Sequence, residues 1–225
     1  MFRADRPNFL VIVTIACLGL MFAGNPLGAA VKVPDPLVDD ALASAPGEQV
    51  AVLAGGCFWG VDAVFKHVKG VKIVWAGYSG GSESSAQYDL VRTGRTGHAE
   101  SVEITYDPSQ ISYGQLLKVF FSVAHDPTEL NRQGPDEGTQ YRSVIFFRNE
   151  GQQRIAQAYI DQMNLAKVFK HKIVTQLVPL KGFYRAEDYH QNYAELHPTD
   201  SYIAFNDLPK IANLRKQFPE LYTGK

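Results

Sequence analysis

The first pattern along the chain is an apolar run from Phe9 to about Ala23, preceded by Arg3 and Arg6 and followed by the small residues Gly28, Ala29 and Ala30. The run is shorter than the roughly 20 residues a spanning helix needs, and the small residues offer a signal-peptidase site. Residues 1–30 therefore read as a signal peptide or leader, and export, most simply to a periplasm, is expected. An uncleaved membrane anchor and a lipid on Cys17 are the alternatives. Residues 31–48 hold Pro34, Pro36, Pro46 and several acids, a linker composition that puts the start of the folded domain near Gln49 and extends it to Lys225.

Inside that domain the periodicity alternates between strand and helix. QVAVLAGG predicts a strand entering a glycine turn. Phe58, Val61, Val64, Phe65 and Val68 then recur at helical spacing, which predicts an amphipathic helix. Val71 to Tyr78 predicts a strand, as does the alternating segment from His98 to Tyr106. A helix from Ser112 to Ala124, a polar loop from His125 to Gln140, and a strand from Ser143 to Phe147 follow. A helix over Glu150–Lys170 and a strand over Ile173–Leu180 come next. The tail from Arg185 is mixed, with one helix expected near Glu187–Glu195. Interleaved elements joined by long loops suggest an α+β fold. Its expected form is a two-layer sandwich, with helices packed on a mixed, mostly antiparallel sheet and a long coil-rich C-terminal tail.

Composition narrows the function. A formal net charge of -1 supplies no basic surplus for nucleic acid. Two cysteines, Cys17 and Cys57, make neither a disulfide framework nor a zinc spacing. If the leader is removed, Cys57 is the only thiol left. It follows Gly55 and Gly56 at the start of the predicted helix, where free N–H groups and the helix dipole favour a thiolate. Phe58 and Trp59 beside it are either plain core or the wall of an apolar pocket. Glu100 is either a solvated strand end or, if desolvated, a carboxyl kept protonated for acid catalysis. His98 competes for that role. Asp136 and Tyr141 close the polar loop, and Tyr88 lies in QYDLVRTG. All three are polar groups that either aim at a ligand or organise loops.

GGCFWG, YDLVRTGRTGHAESV, DEGTQYRS and AEDYHQNY, in this order over about Gln49 to Lys225, resemble the A-type peptide methionine sulfoxide reductases. The resemblance implies Cys57 as nucleophile, Glu100 as general acid, Tyr88 and Tyr141 as binders of the sulfoxide oxygen, and Asp136 as their support. It places the methyl group of the substrate against Phe58 and Trp59, and it implies the S epimer. No cofactor or metal is implied. The substrates would be oxidised proteins or free methionine sulfoxide, and a monomer is expected. One departure stands out: many relatives carry a resolving cysteine near the C-terminus, whereas SYIAFNDLPK has Ile203 there and no cysteine follows Cys57. This looks like a single-cysteine variant, dependent on a thioredoxin-like or glutaredoxin-like thiol reductant. A Cys–His hydrolase using His98 or His190, and a redox sensor without turnover, are the competing classes.

Overall fold

The structure is a computed structural model and describes residues 30–224. The leader, including Cys17, lies outside the described residues save for Ala30. Among the described residues no helix is long and apolar enough to cross a membrane.

Six strands form the main sheet: β1 (Gln49–Gly55), β2 (Val71–Ser79), β3 (Ala99–Tyr106), β6 (Ser143–Phe147), β7 (Gln176–Pro179) and β8 (Phe183–Arg185). Their order is β7-β6-β1-β3-β2-β8. Every pairing is antiparallel except β6 with β7. The mixed, mostly antiparallel α+β architecture is thus as expected. Strand alternation separates two faces. Ala51 and Leu53 of β1 join the main core under the helices, whereas Val52 and Ala54 join a small cluster with Val144 and Phe146. Leu180 and Phe183, around the β7–β8 connection, cover that second face.

On the main face lie α1 (Phe58–Lys66), α3 (Tyr113–Val119) and α4 (Glu150–Leu165). Ser112 starts α3 with a reciprocal cap, its hydroxyl accepting from Gln115 N–H while the Gln115 side chain accepts from Ser112 N–H. A wider π-type turn, Phe120–Ala124, continues α3. Helix α4 ends at Leu165, five residues earlier than expected, because Lys167 takes a left-handed conformation (φ 50°). The strand expected from Ile173 starts only at Gln176, since Val174 N–H is drawn off to the carbonyl of Pro127.

Three further expectations are corrected. Helix α1 is not amphipathic: every residue from Phe58 to Phe65 except Trp59 is buried. Its outer side is covered by the tail, where Ala63 packs with Ala194 and Ile203. The tail is also less coil-rich than expected, holding α5 (Tyr193–Leu196) and α6 (Leu208–Gln217). Asn192, left-handed at φ 57°, breaks the helix expected over Glu187–Glu195. Finally, the 31–48 segment is strapped to the domain. Val31 exchanges hydrogen bonds with Ser122, Tyr159 donates to the carbonyl of Pro34 at 2.6 Å, and Asp39 accepts from Gly114 N–H at 2.8 Å.

Candidate active site

Cys57 is the N-cap of α1. Gly56 before it has φ +91°, a left-handed conformation that suits glycine, and a Cβ there would lie 2.5 Å from the Gln133 side chain. A glycine pair is what lets the chain leave β1 and turn the sulfur back over the sheet end. The last β1–β3 pair is Leu53 with Val102. Extending that register by two residues sets Glu100 opposite Gly55, the last residue of β1. The carboxyl of Glu100 therefore meets a free N–H at the buried start of α1. Its Oε2 accepts from Phe58 N–H at 3.1 Å, and it is hydrogen-bonded with Cys57.

Burial dominates the electrostatics. Glu100 is 2% exposed, and desolvation, helped by Asp136, pushes its carboxyl up to about 8 against the pull of Phe58 N–H and Cys57. It is a neutral acid at pH 7. Burial also pushes the Cys57 thiol well up, followed by the carboxylates of Glu100, Asp207 and Asp136. A hydrogen bond with Trp59 N–H acts in the opposite direction, which is the helix-start effect. It is outweighed, so the resting sulfur is a thiol and not the thiolate that its position at a helix start suggested.

Tyr88 opens α2 (Tyr88–Val91), and Tyr141 closes a short 3-10 turn, Thr139–Tyr141. Both phenols are pushed up by burial and then by Glu100, with Cys57 contributing to each. Both hydroxyls thus lie in the field of the same two groups. Asp136, at the start of β5 (Asp136–Glu137), accepts a short hydrogen bond from the Tyr202 hydroxyl. Phe58 is 1% exposed and packs against Tyr78 and His190, with ring centroids 5.8 and 4.9 Å away. Trp59 is only half-buried.

Tyr193 and Tyr202 have no role in the sequence analysis, and His190 enters it only as a base of the hydrolase alternative. His190, Tyr193 and Tyr202 together fix Trp59. Its indole N–H donates to Nδ1 of His190 at 3.3 Å, its ring stacks on Tyr193 at 3.8 Å, and Tyr202 meets it edge-on at 6.1 Å. The string AEDYHQNY contains the first two, yet nothing local in it reveals the partner. Neither histidine of the hydrolase alternative pairs with the sulfur. His98 accepts from Gly81 N–H and bonds the carbonyl of Ser82, so it holds a loop.

A buried thiol and a neutral carboxylic acid therefore lie together, with two phenols in their field and an immobilised indole next along the helix. The family model described as "Peptide methionine sulfoxide reductase" matches residues 49–222. The chain belongs to this family. It is similar to "Peptide methionine sulfoxide reductase MsrA 2" of Mesorhizobium japonicum, at 60% identity over 81% of this chain and 93% of that one. A protein of the same name from Synechocystis is 51% identical over 84% and 89%. Among solved structures, reduced Mxr1 from Saccharomyces cerevisiae is 30% identical with a TM-score of 0.62, covering 74% of this chain and 98% of that one. Methionine sulfoxide reductase A of Corynebacterium diphtheriae is 34% identical, with a TM-score of 0.58 over 69% and 77%. For a peptide methionine sulfoxide reductase, the adjoining acid and thiol are the chemically informative pair.

Proposed function

We infer that this protein reduces methionine sulfoxide to methionine on the thiol of Cys57, repairing oxidised proteins or the free amino acid. The observation that carries the reading is the neutral acid Glu100 hydrogen-bonded beside that thiol. A sulfoxide sulfur is a poor electrophile until its oxygen is protonated. Glu100 supplies that proton, and Tyr88 and Tyr141 donate to the same oxygen as charge builds on it, the kind of stabilisation that is commonly the largest catalytic contribution. The Cys57 sulfur forms a bond to the substrate sulfur as its own proton passes to the vacated Glu100. The hydroxyl then passes from the substrate sulfur to the Cys57 sulfur as the sulfur–sulfur bond breaks, so methionine leaves and Cys57 carries the oxygen as a sulfenic acid. The reaction needs no atom beyond the thiol and the sulfoxide.

Asp136 supports the site through Tyr202, and thereby through Trp59. Phe58 and Trp59 form the apolar wall for the methyl group. With the oxygen held on one side and the methyl on another, only one hand at sulfur fits, and the family resemblance implies the S epimer. A thioredoxin-like or glutaredoxin-like thiol donor, or a small thiol, returns Cys57 to its reduced form. The mature protein is proposed to act as a monomer outside the cytoplasm after removal of residues 1–30.

The test is one turnover of a methionine sulfoxide peptide without reductant, followed by dimedone trapping and intact mass measurement. One adduct on Cys57 is expected. Loss of the sulfoxide with no adduct on Cys57 refutes the mechanism.

A further inference from the structure

We propose that Asp207 is a positioning residue of the reaction: its buried carboxylate, set against the first turn of α1, holds the waiting sulfur of Cys57 as a thiol, so that oxidants and electrophiles that need a thiolate pass it by. The proposal rests on Cys57 as the reacting sulfur, and it gives a task to a buried acid that the mechanism above leaves unused.

Asp207 stands at the N-cap position of α6, directly after the wide turn Ile203–Asp207. An aspartate there ordinarily accepts from the first N–H groups of its own helix. This one does not cap α6, and its Oδ2 is buried with no hydrogen-bond partner. Its Oδ1 accepts from Lys210 Nζ at 3.1 Å, and the residue is fully buried. A sealed ion pair with one oxygen unpaired is a poor device for stability alone. The pair lies flush on α1. Gly60, the last letter of GGCFWG, is the third residue of that helix. A Cβ there would lie 2.1 Å from Oδ1 of Asp207 and 2.5 Å from Lys210 Nζ. Glycine weakens a helix, and no left-handed turn calls for it at Gly60. The close approach of Asp207 and Lys210 does call for it.

Cys57 caps the same turn that Asp207 faces. Helix α1 has no acidic residue in its own first turn, so the negative charge that a helix start attracts comes from elsewhere in the fold. Glu100 comes from β3 and takes Phe58 N–H, and Asp207 comes from the start of α6. The field that would ionise Cys57 is thereby shared with two acids. After burial, Glu100 and then Asp207 push the thiol up, ahead of Asp136 from the hairpin of β4 (Arg132–Gln133) and β5. Lys210 pulls on both Asp207 and Asp136. The remaining titratable groups around the sulfur add no charge near pH 7. His125, which lines the same cavity as Cys57, is pushed down to about 4 by burial, and burial pushes the phenols of Tyr88, Tyr141 and Tyr202 up.

Glu100 delivers the proton and Asp136 supports Tyr202, whereas Asp207 serves neither end. A thiolate is the form that peroxide and alkylating agents attack. Sulfoxide reduction needs no standing thiolate, because the thiol proton passes to Glu100 within the step. A sulfur held as a thiol therefore favours the substrate that engages Glu100.

The test uses the full chain carrying Cys17→Ser, so that Cys57 is the only thiol. Alkylation by iodoacetamide is followed by intact mass across the alkaline range in the parent, in Asp207→Asn, and in Asp207→Asn with Lys210→Gln. Asparagine keeps the shape and removes the charge. In Asp207→Asn the midpoint should fall by roughly half to one pH unit, which is about threefold to tenfold faster alkylation at neutral pH with the same plateau at high pH. Oxidation by hydrogen peroxide at neutral pH, read as the dimedone adduct of Cys57, should rise by the same factor. The doubly neutral variant should fall between the parent and Asp207→Asn, where the ammonium left unpaired adds its own pull. None of these readings uses a sulfoxide, so loss of sulfoxide turnover would count against the proposed function alone. An unmoved midpoint in Asp207→Asn overturns the proposal. So does a rate raised equally at neutral pH and at the plateau, which is loosened packing and not charge. A midpoint in the doubly neutral variant at or above that of the parent also overturns it, because the Asp207 charge would then have no effect of its own.

Discussion

Replacing Glu100 with glutamine should make the protein slower and, at alkaline pH, more stable. The carboxyl is pushed from the ordinary 4.5 up to about 8, mainly by burial. Folding therefore favours its protonated form. The stability it contributes is complete below about pH 4.5 and is lost as pH rises through about 8. At about 1.36 kcal/mol per pH unit, that interval corresponds to roughly 5 kcal/mol, an upper figure because the site relaxes or admits water before meeting the whole cost. Glutamine keeps an acceptor for Phe58 N–H and never ionises. Thermal melts of parent and Glu100→Gln should nearly coincide at pH 5 and separate by pH 9. A domain of this size gains about 2–4 °C for each kcal/mol, so a gap of several degrees is readable. Over the same range the single-turnover rate of the parent should fall above about pH 8, as the acid is lost. The variant should be slower by about 10²–10⁴ at neutrality, the usual worth of a general acid, with a flat residual rate. Equal melting differences at pH 5 and pH 9 would show that the fold does not hold a proton on Glu100. An unchanged rate would remove it from the chemistry.

Tyr88→Phe and Tyr141→Phe should each slow the sulfenic acid step mildly, and the double variant should be slower than either, since two hydroxyls in one field partly cover for each other. If one single change equals the double, only that phenol touches the oxygen. Asp39→Ala removes the acceptor for Gly114 N–H and the Ser112 hydroxyl at the start of α3, and should cost about 1 kcal/mol in denaturant titration without altering kcat. No change in midpoint would mean that the 31–48 strap is not anchored there. Mass spectrometry of the native protein should find its N-terminus just after Ala30, and an intact Met1 or a lipid on Cys17 would refute the soluble exported form.

Most strands were legible because each carries its own alternation. β1 and β3 sit within a residue of the spans predicted from QVAVLAGG and from the alternation over His98 to Tyr106. Motif resemblance also singled out Cys57, Glu100, Tyr88 and Tyr141, and in the structure both phenols feel the acid and the thiol. What escaped depends on contacts between distant segments. The thiolate expected at Cys57 follows from the helix start alone, but the thiol is held up first by burial and then by Glu100, Asp207 and Asp136, all of which only the fold supplies. The proline-bearing 31–48 segment looks like a linker because its anchors, Ser112, Gly114, Ser122 and Tyr159, lie far along the chain. Helix α6 had a local signal that went unused: Leu208, Ile211, Leu214 and Phe218 recur at helical spacing after Asp207, with Pro209 in the first turn.

Position 203 ties the tail to the recycling chemistry. A resolving sulfur has to travel to Cys57, so the segment carrying it cannot also be fixed core. Ile203 is fully buried and packs with Ala63 of α1 and Ala194 of α5. Burying a side chain of this kind is worth roughly 1.5–3 kcal/mol. The flanking residues tighten the hold. Tyr202 reaches Asp136 and the edge of Trp59, and a Cβ on Gly60 would lie 2.1 Å from the Asp207 carboxylate. Asp207 is itself buried and tied to Lys210 at 3.1 Å. Moving residue 203 to the sulfur would break all of these together and release the indole wall of the pocket. Isoleucine here commits the tail to holding Trp59 in place, and the same commitment leaves the sulfenic acid to a thiol from outside.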